Sequence, residues 1–267
     1  MKNINEKIQH ILNLYIEDIQ FELKERWNSW EKDLNTPEIY EVVGGILARQ
    51  ITITEHLLSC SSLWNGHMAP MILRSLADNY INLAWILEDP LERSRKFIFF
   101  GLGQEKLQIA HQKKELESSG NLEENKVYIE AMENWINSQR YVFLTEVNLS
   151  KWSEISVRKM AEEAGCIDFY NYVYQPFSVN AHNMWNHIAK YNLIESSNPL
   201  HKNFRRPGKF STDADFHYVD LACKYVNKMF LLYDLKIGFS SNRLYPYKKL
   251  HNAINKLSEE FSKDEEE

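Results

Sequence analysis

Glycine and proline are scarce in this chain of 267 residues, at nine and seven, well below their usual share. Sandwiches and barrels join their strands by frequent tight turns that draw on these two residues. The shortage therefore argues against an all-β fold, and equally against a disordered chain. Cysteine is rarer still: Cys60, Cys166 and Cys223 stand far apart, odd in number and with no Cys-x-x-Cys pair. Neither a disulfide framework nor a zinc ribbon can be built from them, and they read as small buried hydrophobes in a reducing compartment. Long apolar runs are missing too. The most apolar stretches, such as 81–87, fall short of the roughly 18 residues that a membrane span requires, and the N-terminal residues lack the apolar core of a signal peptide. A cytoplasmic protein with no membrane partner is expected. Neither sign of charge dominates: 31 basic against 37 acidic side chains leave −6 overall, which gives no general reason to bind nucleic acid.

What the chain has in abundance is helical period. Ile4, Ile8, Ile11, Leu12, Tyr15, Ile19, Leu23, Trp27 and Trp30 recur at steps of three and four, the stripe of one long amphipathic helix. Thr36-Pro37 reads as the N-cap and first position of a second helix reaching about residue 61. A third covers about 68–88. Asp89-Pro90-Leu91-Glu92 has the pattern of a capping box and opens a fourth, to about 118, bent where Gly101 and Gly103 interrupt it. A fifth, charged on most faces, spans about 122–143. A short helix from Val157 should stop at Gly165, and another should restart near Pro176. Residues 198–213 are expected to form the longest loop, and Gly238 should separate closing helices at about 214–237 and 246–261. The expectation is an all-α fold: a single multi-helix bundle domain of about eight helices over residues 1–262, with 263–267 a disordered acidic tail.

The third helix is apolar around nearly its whole circumference, which marks it as buried. Yet Arg74, Asp78 and Asn82 follow at four-residue steps and so share one face. Charges in a core are costly unless paired. Arg74 and Asp78 can pair as architecture, or can form the polar floor of a pocket in which the guanidinium meets a phosphate or carboxylate. The second candidate segment is Ser178-Val179-Asn180-Ala181-His182-Asn183-Met184-Trp185-Asn186-His187. Its two histidines would lie about 140° apart on a regular helix. With no carboxylate at ligand spacing beside them, neither a metal nor any other cofactor is expected. His182 is the candidate acid–base group, because histidine titrates near neutral pH. Asn82, Asn180, Asn183 and His187 are candidates to line a substrate.

Residues 201–209 add four full positive charges around Phe204, and there Arg205 and Arg206 suit a phosphate backbone while the ring stacks on a base. The alternative reading is a solvated basic loop. Arg49 and His56 form an Arg-x6-His pair, the kind of spacing that helical ribonucleases of the HEPN superfamily use. Ten arginines and nine histidines produce about one such pair by chance, so it is kept as the alternative catalytic pair only. No phosphate-binding glycine loop, dinucleotide fingerprint or serine elbow is present in the sequence.

Leu73-Arg74-Ser75-Leu76-Ala77-Asp78, then Ile81 through Asp89-Pro90, resembles a bacterial family of all-helical proteins of unassigned function. Its signature is Arg-Ser-Leu-x-Glu, an apolar helix and Asp-Pro, with a downstream Ser-x-x-x-His that Ser178 and His182 match. The resemblance covers about 71–107 and 178–206, and this chain has the shorter Asp78 where the signature has glutamate. In general build such proteins are similar to HEPN-like ribonucleases, and some stand near anti-phage or toxin systems. The resemblance implies a helical effector acting on RNA or a nucleotide, a metal-independent ribonuclease assembled as a homodimer or with a defence-system partner protein. On that reading His182 is general base, Arg74 holds the phosphate, Asp78 orients Arg74, and Arg205 and Arg206 hold backbone. A non-catalytic helical scaffold and a small-ligand sensor built on Arg74 are the alternatives.

Overall fold

The structure, a computed structural model, describes residues 2–139 and 152–264. Helices dominate it, as the shortage of turn residues requires. α1 (Lys2–Ser29) lays Leu12, Tyr15 and Ile19 into the core, and α2 (Pro37–Leu58) packs against it. α3 (Ala69–Ile86) runs through the middle, where Leu73, Leu76, Ala77, Ile81 and Leu83 are wholly buried. It is touched by α2, by α4 (Pro90–Ser119), by α6 (Val157–Glu163) and by α10 (His217–Ile237), while α11 (Pro246–Asp264) covers α1. Among the described residues no helix is long and apolar enough to cross a membrane. The single helical bundle is the expected fold class.

The helix starts work differently from the sequence reading. Thr36 and Asp89 occupy N-cap positions, but neither side chain makes a capping bond, so the capping box at Asp89 does not form. The prolines that follow each cap carry these starts, because a fixed φ suits the first turn and no N–H is left without a partner. At α6 a side chain does cap: Ser156 Oγ accepts from the Lys159 N–H at 3.2 Å. The stops follow expectation, with Gly165 and Gly238 at φ 66° and 83°, in the left-handed region that glycine adopts freely.

α4 passes through Gly101 and Gly103 without a break, and α5 (Lys126–Asn137) is shorter than expected. α5 rests Ile129 and Ile136 on Ile109 in a small satellite core. The far end of the expected fifth helix lies outside the described residues, as do residues 265–267 of the expected tail, whose first two residues belong to the span of α11.

Two regions depart further. An α-helix does restart beside Pro176, as expected, but no break precedes it. α7 (Ile167–Phe169), a π-helical segment (Tyr170–Tyr174) and α8 (Gln175–Ala181) follow one another without interruption. Proline has no N–H to give the preceding turn, and the wider π turn lets the helix pass it. The helix then breaks where Asn183 takes φ 50°, and α9 (Trp185–Tyr191) begins. Residues 178–187 are thus two helices, and the angle computed for a regular one does not apply. The expected loop at 198–213 contains one arm of a hairpin, β1 (Leu193–Glu195) antiparallel to β2 (Arg205–Pro207), with Ile194 opposite Arg206. Three residues per strand are too few to leave an alternation in the sequence.

Arg26 ties α1 to α10. It is 2% exposed. Its Nε and Nη2 donate to the two carboxylate oxygens of Asp234 at 2.7 Å each, and its Nη1 donates to Glu22 at 2.7 Å. The guanidinium lies 4.2 Å from the centre of the Phe230 ring. Burial pushes the Glu22 carboxyl up, but hydrogen bonds from Arg243 and Arg26 outweigh it and hold the group below its ordinary value. Removing one partner of such a pair strands the others without compensation, so Arg26→Ala should cost about 3–5 kcal/mol. Urea denaturation measures the loss, and a value under 1 kcal/mol would mean that the network is not anchoring the two helices.

Candidate functional site

α3 and the 167–181 helix run antiparallel. Tyr80 packs on Phe169 with ring centres 4.4 Å apart and planes tilted by 52°, Arg74 meets Tyr174 and Ser178, and Asn180 Nδ2 donates to the Gly66 carbonyl at 3.1 Å. Arg74 projects from the face of α3 that this helix covers and is 8% exposed. Its Nε donates to Ser178 Oγ at 2.8 Å, its Nη1 donates to an Asp78 carboxylate oxygen, and its Cζ lies 3.3 Å from the centre of the Tyr174 ring. Ser178 Oγ gives its own proton to the Tyr174 carbonyl at 2.8 Å, so its lone pairs are free for Arg74. Among the described residues the second terminal nitrogen, Nη2, has no protein partner.

The electrostatics follow from this packing. Burial pushes the half-buried Asp78 carboxyl above its ordinary value; Arg74 and, more weakly, His182 pull the other way without cancelling it. Burial carries the Tyr174 phenol to about 12, with the nearby Asp78 charge adding to the effect. His182 closes α8 one turn beyond Ser178. It is exposed, lies within electrostatic reach of Asp78, and its side chain makes no hydrogen bond among the described residues. The structure therefore gathers Arg74, Asp78, Ser178 and Tyr174 into one contact, with His182 at its rim.

A family model described as a family of unknown function (DUF5677) matches residues 40–199. The chain belongs to this family. No curated protein and no solved structure matches it. The DUF5677 match takes in both halves of the Arg74 cluster, the pair on α3 and the partners on the facing helix, and ends before β2.

The remaining sequence candidates fall elsewhere. Asn82, one turn beyond Asp78, makes no hydrogen bond to the cluster among the described residues, and Asn180 serves to hold the Gly66 turn. Asn183 supplies the left-handed residue between α8 and α9. His187 packs: its ring is 5.8 Å from His67 and 4.8 Å from Tyr191, centre to centre, and His67 Nε2 donates to the Phe210 carbonyl at 3.2 Å. The break at Asn183 turns it toward this neighbourhood rather than toward Arg74. Arg49 and His56 share a face of α2, both exposed, with no bond between them among the described residues. Arg205 and Arg206 are exposed on β2 beside Phe204, which is 59% exposed. Among the described residues none of Lys190, Lys202, Arg205, Arg206 and Lys209 is in an ion pair. Against these five cations the sequence sets one acid, Glu195, between residues 169 and 212. Among the described residues no three potential metal ligands cluster.

Tyr174 is the site residue that sequence reasoning missed. Its signal was its place four residues before Ser178 in an aromatic run, which put both on one helical face.

Burial, the neighbouring His67 and Lys190 all lower the pKa of His187. The unfolded chain therefore takes up a proton near the ordinary histidine value, where the folded protein still refuses it. Stability from this group is fully present above the unfolded pKa and is lost as pH falls from there through the folded pKa. Melting temperature should decline on acidification below about pH 6.5, and His187→Gln should flatten that decline. An unchanged slope in the variant would show that other groups govern it.

Proposed function

We propose that this DUF5677 protein is a helical effector that cleaves RNA in the setting of prokaryotic anti-phage defence, with its reacting groups where α3 meets α8. The observation that carries the reading is Arg74, clamped on Nε by Ser178, on Nη1 by Asp78 and on its face by Tyr174, with Nη2 left for a ligand. A guanidinium fixed beforehand and presenting one edge is suited to a phosphoryl oxygen, because no reorganisation is needed as charge builds there.

In this scheme the ribose 2′-oxygen attacks the adjacent phosphorus and its proton passes to His182. The bond from phosphorus to the 5′-oxygen breaks, leaving a 2′,3′-cyclic phosphate, and the departing oxygen takes a proton from water. Asp78 and Ser178 are positioning residues for Arg74. Arg205 and Arg206 hold the backbone and Phe204 stacks on a base, consistent with a stretch of unpaired cations around an exposed ring. The resemblance to HEPN-like ribonucleases, which pair an arginine with a histidine, supports the same assignment. It also supports a homodimer or an assembly with a defence-system partner.

One observation favours a second reading, a non-catalytic scaffold. Arg26 is likewise a buried arginine laid on an aromatic ring between acids, and it acts purely as packing. The two readings separate at His182, which is exposed and whose side chain makes no hydrogen bond among the described residues. On the ribonuclease reading His182→Ala keeps the parental melting temperature and lowers RNA cleavage by about 10²–10⁴-fold. Full cleavage by the variant overturns the assignment, and intact RNA with the wild-type protein under triggering conditions leaves the scaffold. Binding gives a separate check. The Arg205→Ala, Arg206→Ala double variant should reduce the salt dependence of single-stranded RNA binding by about 1.4 in log–log slope; no change in slope would place the backbone contacts elsewhere.

A further inference from the structure

Both α2 and α4 carry two glycines in mid-helix, the least favoured residue there after proline. Close packing explains Gly44, where an added Cβ would stand 2.8 Å from Trp27 Cζ3. It explains neither Gly45 nor Gly101, because among the described residues a Cβ on either would meet nothing within 4 Å. Both glycines line one cavity of about 420 Å³ between α2, α4 and α5, with Asn79 of α3 among its walls. That volume is in the range of small-ligand sites. None of Arg74, Asp78, Tyr174, Ser178 and His182 lines it.

The polar groups in the cavity are few and each states a requirement. Asn79 Nδ2 is buried and has no hydrogen-bond partner among the described residues. An unpaired buried amide donor is costly, and an acceptor on a ligand would remove that cost. Arg49 supplies a cation that, among the described residues, has no ion-pair partner. Glu41 supplies an acceptor two helical turns before it on α2. Apart from Gln139, whose Nε2 donates to the Trp135 carbonyl at 3.2 Å, the rest of the lining is apolar or aromatic, with Phe97 on α4 and Trp135 on α5. An acyl chain would satisfy these walls and leave Asn79 unpaired. Free phosphate would satisfy Arg49 and leave the walls wet.

We infer that this cavity binds a nucleoside monophosphate, with its base against Trp135 and Phe97, a base carbonyl accepting from Asn79, and the phosphate on Arg49. Glu41 takes a hydrogen bond from a ring or exocyclic N–H of the base. The inference does not depend on RNA cleavage at Arg74, and its test reads binding alone.

Calorimetric titration of the full chain with GMP, UMP, AMP, guanosine and inorganic phosphate checks it. GMP and UMP, whose bases carry a carbonyl, should bind. AMP, which has none, and guanosine, which lacks the phosphate, should each bind about tenfold more weakly or worse. Phosphate alone should give no heat. Gly101→Leu fills the cavity with a good helix former and should abolish binding while the melting temperature holds. Arg49→Gln, on an exposed position, should weaken GMP but not guanosine. Absence of binding by GMP and UMP, equal binding of AMP, or undiminished GMP binding by both variants would each overturn the inference.

Discussion

α3 is buried along most of its length, so the polar groups that Arg74 and Trp85 turn away from solvent must be met by other elements. That constraint registers the second half of the chain on the first. Near one end of α3, Trp85 Nε1 donates to Glu163 of α6 at 2.7 Å. Nearer the other, Arg74 is met by Tyr174 and Ser178. Between these polar anchors Tyr80 and Phe169 pack ring to ring. Apolar burial supplies the driving force, but it is non-directional. The hydrogen bonds fix where along α3 the 157–181 segment must lie, and with that they fix the approach of His182 to Asp78.

The two buried arginines show how little separates a purely architectural contact from a candidate site. In Arg26 all three guanidinium nitrogens are bonded to carboxylates or carbonyl groups of the chain. In Arg74 two are bonded and the third is not. Their acids differ in the same sense, since the Arg26 partners Glu22 and Asp234 are nearly closed to solvent while Asp78 is 39% exposed at its side chain. An arginine with every donor occupied can only hold helices together. One with a donor edge to spare, beside a carboxyl whose pKa burial has raised, has capacity for an anion and for proton traffic.

The sequence carried the helices because the stripes of α1 and α10 and the stops at Gly165 and Gly238 are local signals. It carried Arg74 and Asp78 for the same reason, a four-residue spacing inside an apolar helix. What it did not carry depends on distant partners or on departures from regular geometry. Tyr174 becomes a site residue because α8 is folded onto α3, a contact across about a hundred residues. The π turn before Pro176 and the break at Asn183 have no periodic signature, and together they turn His187 away from His182. The hairpin is too short for its strands to alternate visibly.

Net charge says little about a local surface for a related reason: it averages over lengths that electrostatics does not. At physiological ionic strength charges act over about 8 Å, so a ligand at the hairpin does not sense the −6 of the whole chain. It senses the stretch from 169 to 212, where five cations face one acid while most acids lie on other elements. Many of those acids are already engaged: Glu22, Asp18, Glu88 and Glu133 all sit in ion pairs within the bundle. Pairing inside the helical body and its absence at the hairpin among the described residues leave a run of uncompensated basic side chains beside an exposed aromatic ring. A polyanion would gain there from counterion release without meeting the repulsion that the overall composition implies.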